Sequence, residues 1–65
     1  MPIKVVIVDD EPLARRGLVL RLGQIDGVEI VAECSNGREA LLAVVEHQPD
    51  LLLLDIQMPG MSGFD

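Results

Sequence analysis

Apolar positions recur in two rhythms along this chain, and the switches between them divide it into five segments. Ile3 to Val8 (IKVVIV) is β-branched and almost continuously apolar, the pattern of a strand covered on both faces. It stops at Asp9-Asp10. From Pro12 the period lengthens: Ala14, Leu18, Leu22 and Ile25 recur at spacings of four, four and three, one stripe of a helix. Asp10 or Glu11 can cap its start, and Pro12 suits the first turn, where a missing N–H is not needed. Gly17 falls inside this helix, where glycine is about 1 kcal/mol less favourable than alanine, so close packing is expected there. Gly23 and Gly27 bracket the exit.

Val28 to Cys34 (VEIVAEC) alternates more cleanly, with Val28, Ile30, Ala32 and Cys34 expected on one side and Glu29 and Glu33 on the other, as in a strand near a sheet edge. Asn36-Gly37 would suit a two-residue hairpin turn. Ala40, Leu41, Val44 and Val45 then follow at helical spacing, however, and Asn36 with Glu39 has the form of a capping box, so Asn36 is assigned as a helix cap and Pro49 as the stop. Asp50 introduces Leu51 to Leu54, a third short strand expected to be covered on both faces. Strands alternating with helices give an α/β chain of order βαβαβ, with parallel strands and right-handed crossovers. The edge pattern of the second strand places the first between it and the third. Nothing in these residues covers the far side of the third, so the chain is expected to continue.

Composition narrows the class. At 65 residues with net charge −6 the chain allows at most one small unit, which buries only about 60% of its unfolded surface. Lys4, Arg15, Arg16, Arg21 and Arg38 form no basic stripe, which argues against nucleic-acid contact by this segment. Arg15 and Arg16 are most simply a solvated helix face. No apolar run spans a membrane and no signal peptide opens the chain, so a cytoplasmic location is expected. The lone Cys34 is read as a small buried hydrophobe, and His47 as a solvated residue near a helix end, where the dipole favours a cation.

The chemistry lies at the strand ends. In open parallel α/β sheets, ligands bind beyond the carboxyl ends of the strands. Asp9 and Asp10 leave the first strand there and Asp55 leaves the third. Neighbouring strands lie roughly 4.8 Å apart, which brings the three carboxylates to one small site. Two such charges about 4 Å apart repel by roughly 4 kcal/mol at an effective dielectric of 20, so the cluster calls for a counter-charge. Oxygen donors without His or Cys favour Mg2+. Taken alone, Asp9-Asp10 would more simply be capping residues. Asp55 precedes Ile56-Gln57-Met58-Pro59-Gly60, where Pro-Gly suits a type II turn, and caps no evident helix.

VVIVDDEP (5–12), NGREAL (36–41) and PDLLLLDIQMPGMSG (49–63) resemble the receiver domain of bacterial two-component response regulators, in the right order over the whole chain. The resemblance implies the flavodoxin-like fold with strand order 2-1-3-4-5. It also implies that Asp55 is the phosphoacceptor for a phosphohistidine on a sensor histidine kinase, and that Asp10 ligates Mg2+ directly and Asp9 through a water. The main-chain carbonyl of Gln57 would be the remaining protein ligand, in a loop fixed by Pro59 and Gly60; Met58 and Met61 would be turn packing. Receivers also use a Ser or Thr after the fourth strand and a Lys after the fifth, and neither lies within these residues. Lys4, at the opposite strand end, is no substitute. The chain is therefore expected to be the first half of a receiver, normally controlling an output domain. DDEPLARRGL is similar to regulators whose output binds DNA.

Two rival readings come from other classes. A haloacid dehalogenase-type phosphotransferase also uses strand-end aspartates and Mg2+, but in a D-x-D pattern after the first strand, where this chain has Asp9-Asp10-Glu11-Pro12. The other is an interaction fragment that self-associates through the open edge of its third strand.

Overall fold

The structure, a computed structural model, describes residues 2–55. Five elements follow in the expected order: β1 (Ile3–Asp9), α1 (Pro12–Leu22), β2 (Val28–Cys34), α2 (Gly37–His47) and β3 (Leu51–Asp55). The three strands form one parallel sheet in the order β2-β1-β3, the flavodoxin-like order expected over the first three strands.

β1 is central because it is the strand most apolar on both faces. Val5, Val6, Ile7 and Val8 are essentially inaccessible to water. β1 pairs with β3 without interruption, from Val5 opposite Leu51 to Asp9 opposite Asp55. Asp50 locks the start of this ladder: its amide donates to the Lys4 carbonyl at 2.8 Å, and its Oδ2 accepts from the Lys4 amide at 2.9 Å. The other pairing shifts register, with Val5 opposite Ile30 but Val6 opposite Ala32, so Val31 is the extra residue of a bulge.

That bulge corrects the side assignment expected for β2. Paired residues of parallel strands face the same way, so Val28 and Ile30 share the face of Ile3 and Val5, whereas Ala32 and Cys34 share that of Val6 and Val8. Glu33 is left on the Ile7 face, toward α1. Beneath α2 the core consists of Val6, Val8, Cys34, Ala40 and Ala43, with Val31 and Ala32 packed against it. Small side chains at 40 and 43 bring this helix close to the sheet.

Both helices are capped by residues expected to cap them. Glu11, not Asp10, caps α1, its Oε1 accepting from the Leu13 amide at 3.0 Å. Asn36 caps α2 as expected, its Oδ1 accepting from the Glu39 amide at 2.9 Å, while Glu39 Oε1 accepts from the amide and hydroxyl of Ser35 at 2.7 and 2.9 Å. The reciprocal bond thus reaches one residue further back than in a standard capping box. α2 ends two residues before Pro49, with Gln48 in the left-handed conformation. Gly27, at φ +88°, makes the turn into β2 that a side chain would strain.

Three packing expectations fail, for one reason. α1 buries no residue, Ala14 is exposed, and Ile25 lies beyond the helix. A Cβ built on Gly17 would meet nothing within 4 Å among the described residues, so close packing is not what explains this glycine here. Leu51, Leu52 and Leu54 of β3, expected to be covered, are 41–59% exposed. On the side of β3 away from β1, no described element lies against the sheet.

Candidate functional site

The site is built from the register of β1 against β3. Because the strands are parallel and Asp9 is the partner of Asp55, both aspartates stand at carboxyl ends on the same face of the sheet. They line one cavity of about 360 Å³, whose other wall is the face of α1 carrying Leu13, Ala14, Gly17, Leu18 and Arg21.

Asp9 is only 2% exposed, unusual for a carboxylate, and its two oxygens differ. Oδ1 accepts from the Glu11 amide at 2.9 Å, closing a local turn into α1. Oδ2 is buried without a hydrogen-bond partner. Leaving such a group unsatisfied costs on the order of 1–3 kcal/mol, more for a charged one, so this oxygen does not stabilise the fold.

A second bond fixes the Asp9 backbone. Arg15, from the first turn of α1, donates from Nη1 to the Asp9 carbonyl at 2.8 Å, and its Nε lies 3.9 Å from Oε1 of Glu33 on β2. Sequence reasoning placed Arg15 with Arg16 on a solvated face and missed this. Consecutive helical residues point about 100° apart, so a solvated Arg16 does not by itself put Arg15 in solvent. The acid Glu33 across the sheet was the remaining signal.

The structure therefore brings together Asp9 and Asp55. Asp10 follows β1 as an exposed residue and does not line the shared cavity. Among the described residues no three His, Cys, Asp or Glu side chains gather closely enough to cage a metal ion. Gln57, Met58, Pro59, Gly60 and Met61 lie outside the described residues. Within them, the pair fits a divalent cation in one respect: an orphaned, buried carboxylate oxygen borders a cavity that a second carboxylate also lines.

Two further groups flank β2's carboxyl end. Burial pushes the Cys34 thiol up, Glu39 adds to this and Arg15 opposes it. The Ser35 amide, then its hydroxyl, hold the Glu39 carboxyl below the usual range. Neither lines the cavity of the aspartate pair.

The response regulator receiver domain pattern matches residues 5–65. This chain belongs to the response regulator receiver domain family. It is 57% identical over 63 residues to the transcriptional regulatory protein BtsR of Salmonella typhi, covering 97% of this chain and 26% of that protein. It is 52% identical over 60 residues to the positive alginate biosynthesis regulatory protein of Pseudomonas aeruginosa, covering 91% and 24%. Among solved structures it resembles the signal receiver domain of the putative response regulator NarL of Mycobacterium tuberculosis, with a TM-score of 0.82 and 43% identity over 92% of this chain and 48% of that one. The receiver chain thus spans about a quarter of these curated relatives and about half of the solved receiver. Membership assigns it to phosphorelay signalling as a regulatory domain and sets aside the haloacid dehalogenase reading. No described helix of the receiver is long and apolar enough to cross a membrane.

Proposed function

We propose that Asp55 is the phosphoacceptor and that Asp9, Asp10 and the main-chain carbonyl of Gln57 hold Mg2+ beside it, Asp10 directly and Asp9 through water. The observation that carries this reading is the in-register pair: Asp9 with a buried, unpartnered Oδ2, and Asp55 on the next strand end, facing one cavity. When bound, Mg2+ supplies charge neutralisation between carboxylates and phosphoryl oxygens.

The chain's own part is nucleophile and alignment. An Asp55 carboxylate oxygen attacks the phosphorus of a phosphohistidine on a sensor histidine kinase; the new O–P bond forms as the P–N bond breaks, and the departing imidazole takes a proton from solvent. β3 holds Asp55 at its last position, so the attacking oxygen is placed by the ladder to β1. The acyl phosphate adds negative charge at a strand end, which biases the loops around it.

Because its relatives are named as transcriptional regulators, the parent protein is proposed to carry a DNA-binding output domain and to work in the cytoplasm, this acidic segment itself making no nucleic-acid contact. Incubating that parent with a small-molecule phosphodonor and Mg2+ is expected to add one phosphate by intact mass, and Asp55→Asn is expected to abolish it. Phosphate retained by the Asp55→Asn variant would overturn the assignment.

A second reading concerns association. Leu52 and Leu54 are exposed and border an apolar groove of about 260 Å³ with Ala40, Leu41 and Val44 of α2. β3 is also an edge strand among the described residues. This chain is proposed to pair with a second copy there.

A further inference from the structure

Arg15 reaches the acidic strand end from α1, and its guanidinium bonds there to the main chain. Its Nη1 donates to the carbonyl of Asp9 at 2.8 Å, while its Nε sits 3.9 Å from the half-exposed carboxylate of Glu33. The Asp9 carbonyl belongs to the peptide plane that also carries the Asp10 amide. Fixing that oxygen fixes the plane, and with it the direction in which the chain leaves Asp9 and enters Asp10. The Glu11 amide meanwhile holds Asp9 Oδ1, which leaves Oδ2 as the unpartnered oxygen of a residue lining the cavity shared with Asp55.

We infer that Arg15 is a positioning residue of the cation site: by clamping the Asp9 carbonyl from α1, it fixes the backbone from which the Asp9 carboxylate meets a divalent cation and the chain enters Asp10. Glu33, on the bulged strand, aims the guanidinium. This rests on the cation-site reading above and deepens it. A charge-assisted bond to a backbone carbonyl is the stronger kind, and its planar donor group gives it direction.

The sign of the effect separates positioning from simple charge. A guanidinium near a cation site repels the ion, so on Coulombic grounds its removal should tighten binding. Positioning demands the opposite. Residues that orient metal ligands typically change affinity by about 10–100-fold when mutated, and one acting through a backbone plane belongs at about tenfold.

The test is NMR titration of the isotopically labelled chain with Mg2+ alone. The Asp9 carbonyl carbon and Asp10 amide report the clamp without metal, and the Mg2+-dependent shifts report affinity. Arg15→Gln is expected to move both resonances in metal-free solution and to weaken Mg2+ binding about tenfold, against the direction its lost charge would give. Arg15→Lys, which keeps the charge and a donor nitrogen but not the planar fork, is expected to fall between. Arg16→Gln on the same helix is expected to match the wild type. Wild-type affinity or tighter binding in Arg15→Gln overturns the inference and leaves the cation site standing. A wild-type chain whose Asp9, Asp10 and Asp55 do not respond to Mg2+ overturns the site reading and this inference with it. Should Arg15→Gln fail to fold, Arg15→Lys decides by the same readouts: binding weakened by about twofold or more with a displaced Asp9 carbonyl resonance supports the clamp, and unchanged binding overturns it.

Discussion

At the residue scale, Asp9 and Cys34 share a sheet end and show opposite uses of burial. Asp9 is a carboxylate at 2% exposure with an unpartnered oxygen, which is destabilising unless a ligand completes it. Cys34, at 3%, is an apolar filler beneath α2. Its thiol is pushed up by burial first and by Glu39 second, so the folded chain holds the proton more tightly than the unfolded one. The sign follows: this contribution to stability is complete below the ordinary thiol range and is lost as pH rises through the elevated folded value. At neutral pH a thiol reagent is expected to modify Cys34 at least about tenfold more slowly in native buffer than in denaturant. Equal rates would show that the α2 face is open.

At the element scale, α2 is the better-anchored helix because its start is doubly bonded and its inner face is small and apolar. Asn36→Ala is expected to lower stability by about 1 kcal/mol, measured by denaturant unfolding. Glu39 has a lowered carboxyl pKa in the fold, through the Ser35 amide and then its hydroxyl. Its contribution is therefore present above the ordinary glutamate range and disappears as pH falls through the folded value. Glu39→Gln and the wild type should converge in stability as the solution is acidified below that range, whereas the Asn36→Ala difference should persist. Both helix starts were legible in the sequence, since caps are local: Asn36 and Glu39 are three apart wherever the chain goes. α1 was legible in extent but not in packing. Its stripe of Ala14, Leu18 and Leu22 presumed one fully covered face, and the described residues leave that face incompletely buried.

At the scale of the whole molecule, the decisive feature is that, among the described residues, the sheet's central strand is enclosed and the far side of β3 is not. β1 is buried on both faces, while Leu51, Leu52 and Leu54 stay 41–59% exposed on a strand that pairs only with β1 among the described residues. Sedimentation of this chain is expected to show association that grows with concentration, and also with salt, because a net charge of −6 opposes self-contact through screened repulsion. Leu52→Lys, which places a charge on the edge strand, is expected to reduce it. A monodisperse monomer across the concentration range would remove the pairing proposal without touching the phosphoacceptor reading.

The sequence by itself determined the five elements, their parallel order, and the placing of Asp9, Asp10 and Asp55 at strand ends, because periodicity, caps and turn residues act over a few neighbouring positions. Only the tertiary structure decided which acids meet. The β1–β3 register put Asp9 opposite Asp55, and the Val31 bulge turned Glu33 toward α1, where it meets Arg15. A one-residue slip reverses every side chain beyond it, and the alternation of VEIVAEC carries no mark of where the slip occurs. Burial of Asp9 was beyond the sequence for the same reason: an aspartate ending a strand is exposed or enclosed according to what packs against that end, and here this is the first turns of α1, held down by Arg15 on the Asp9 carbonyl.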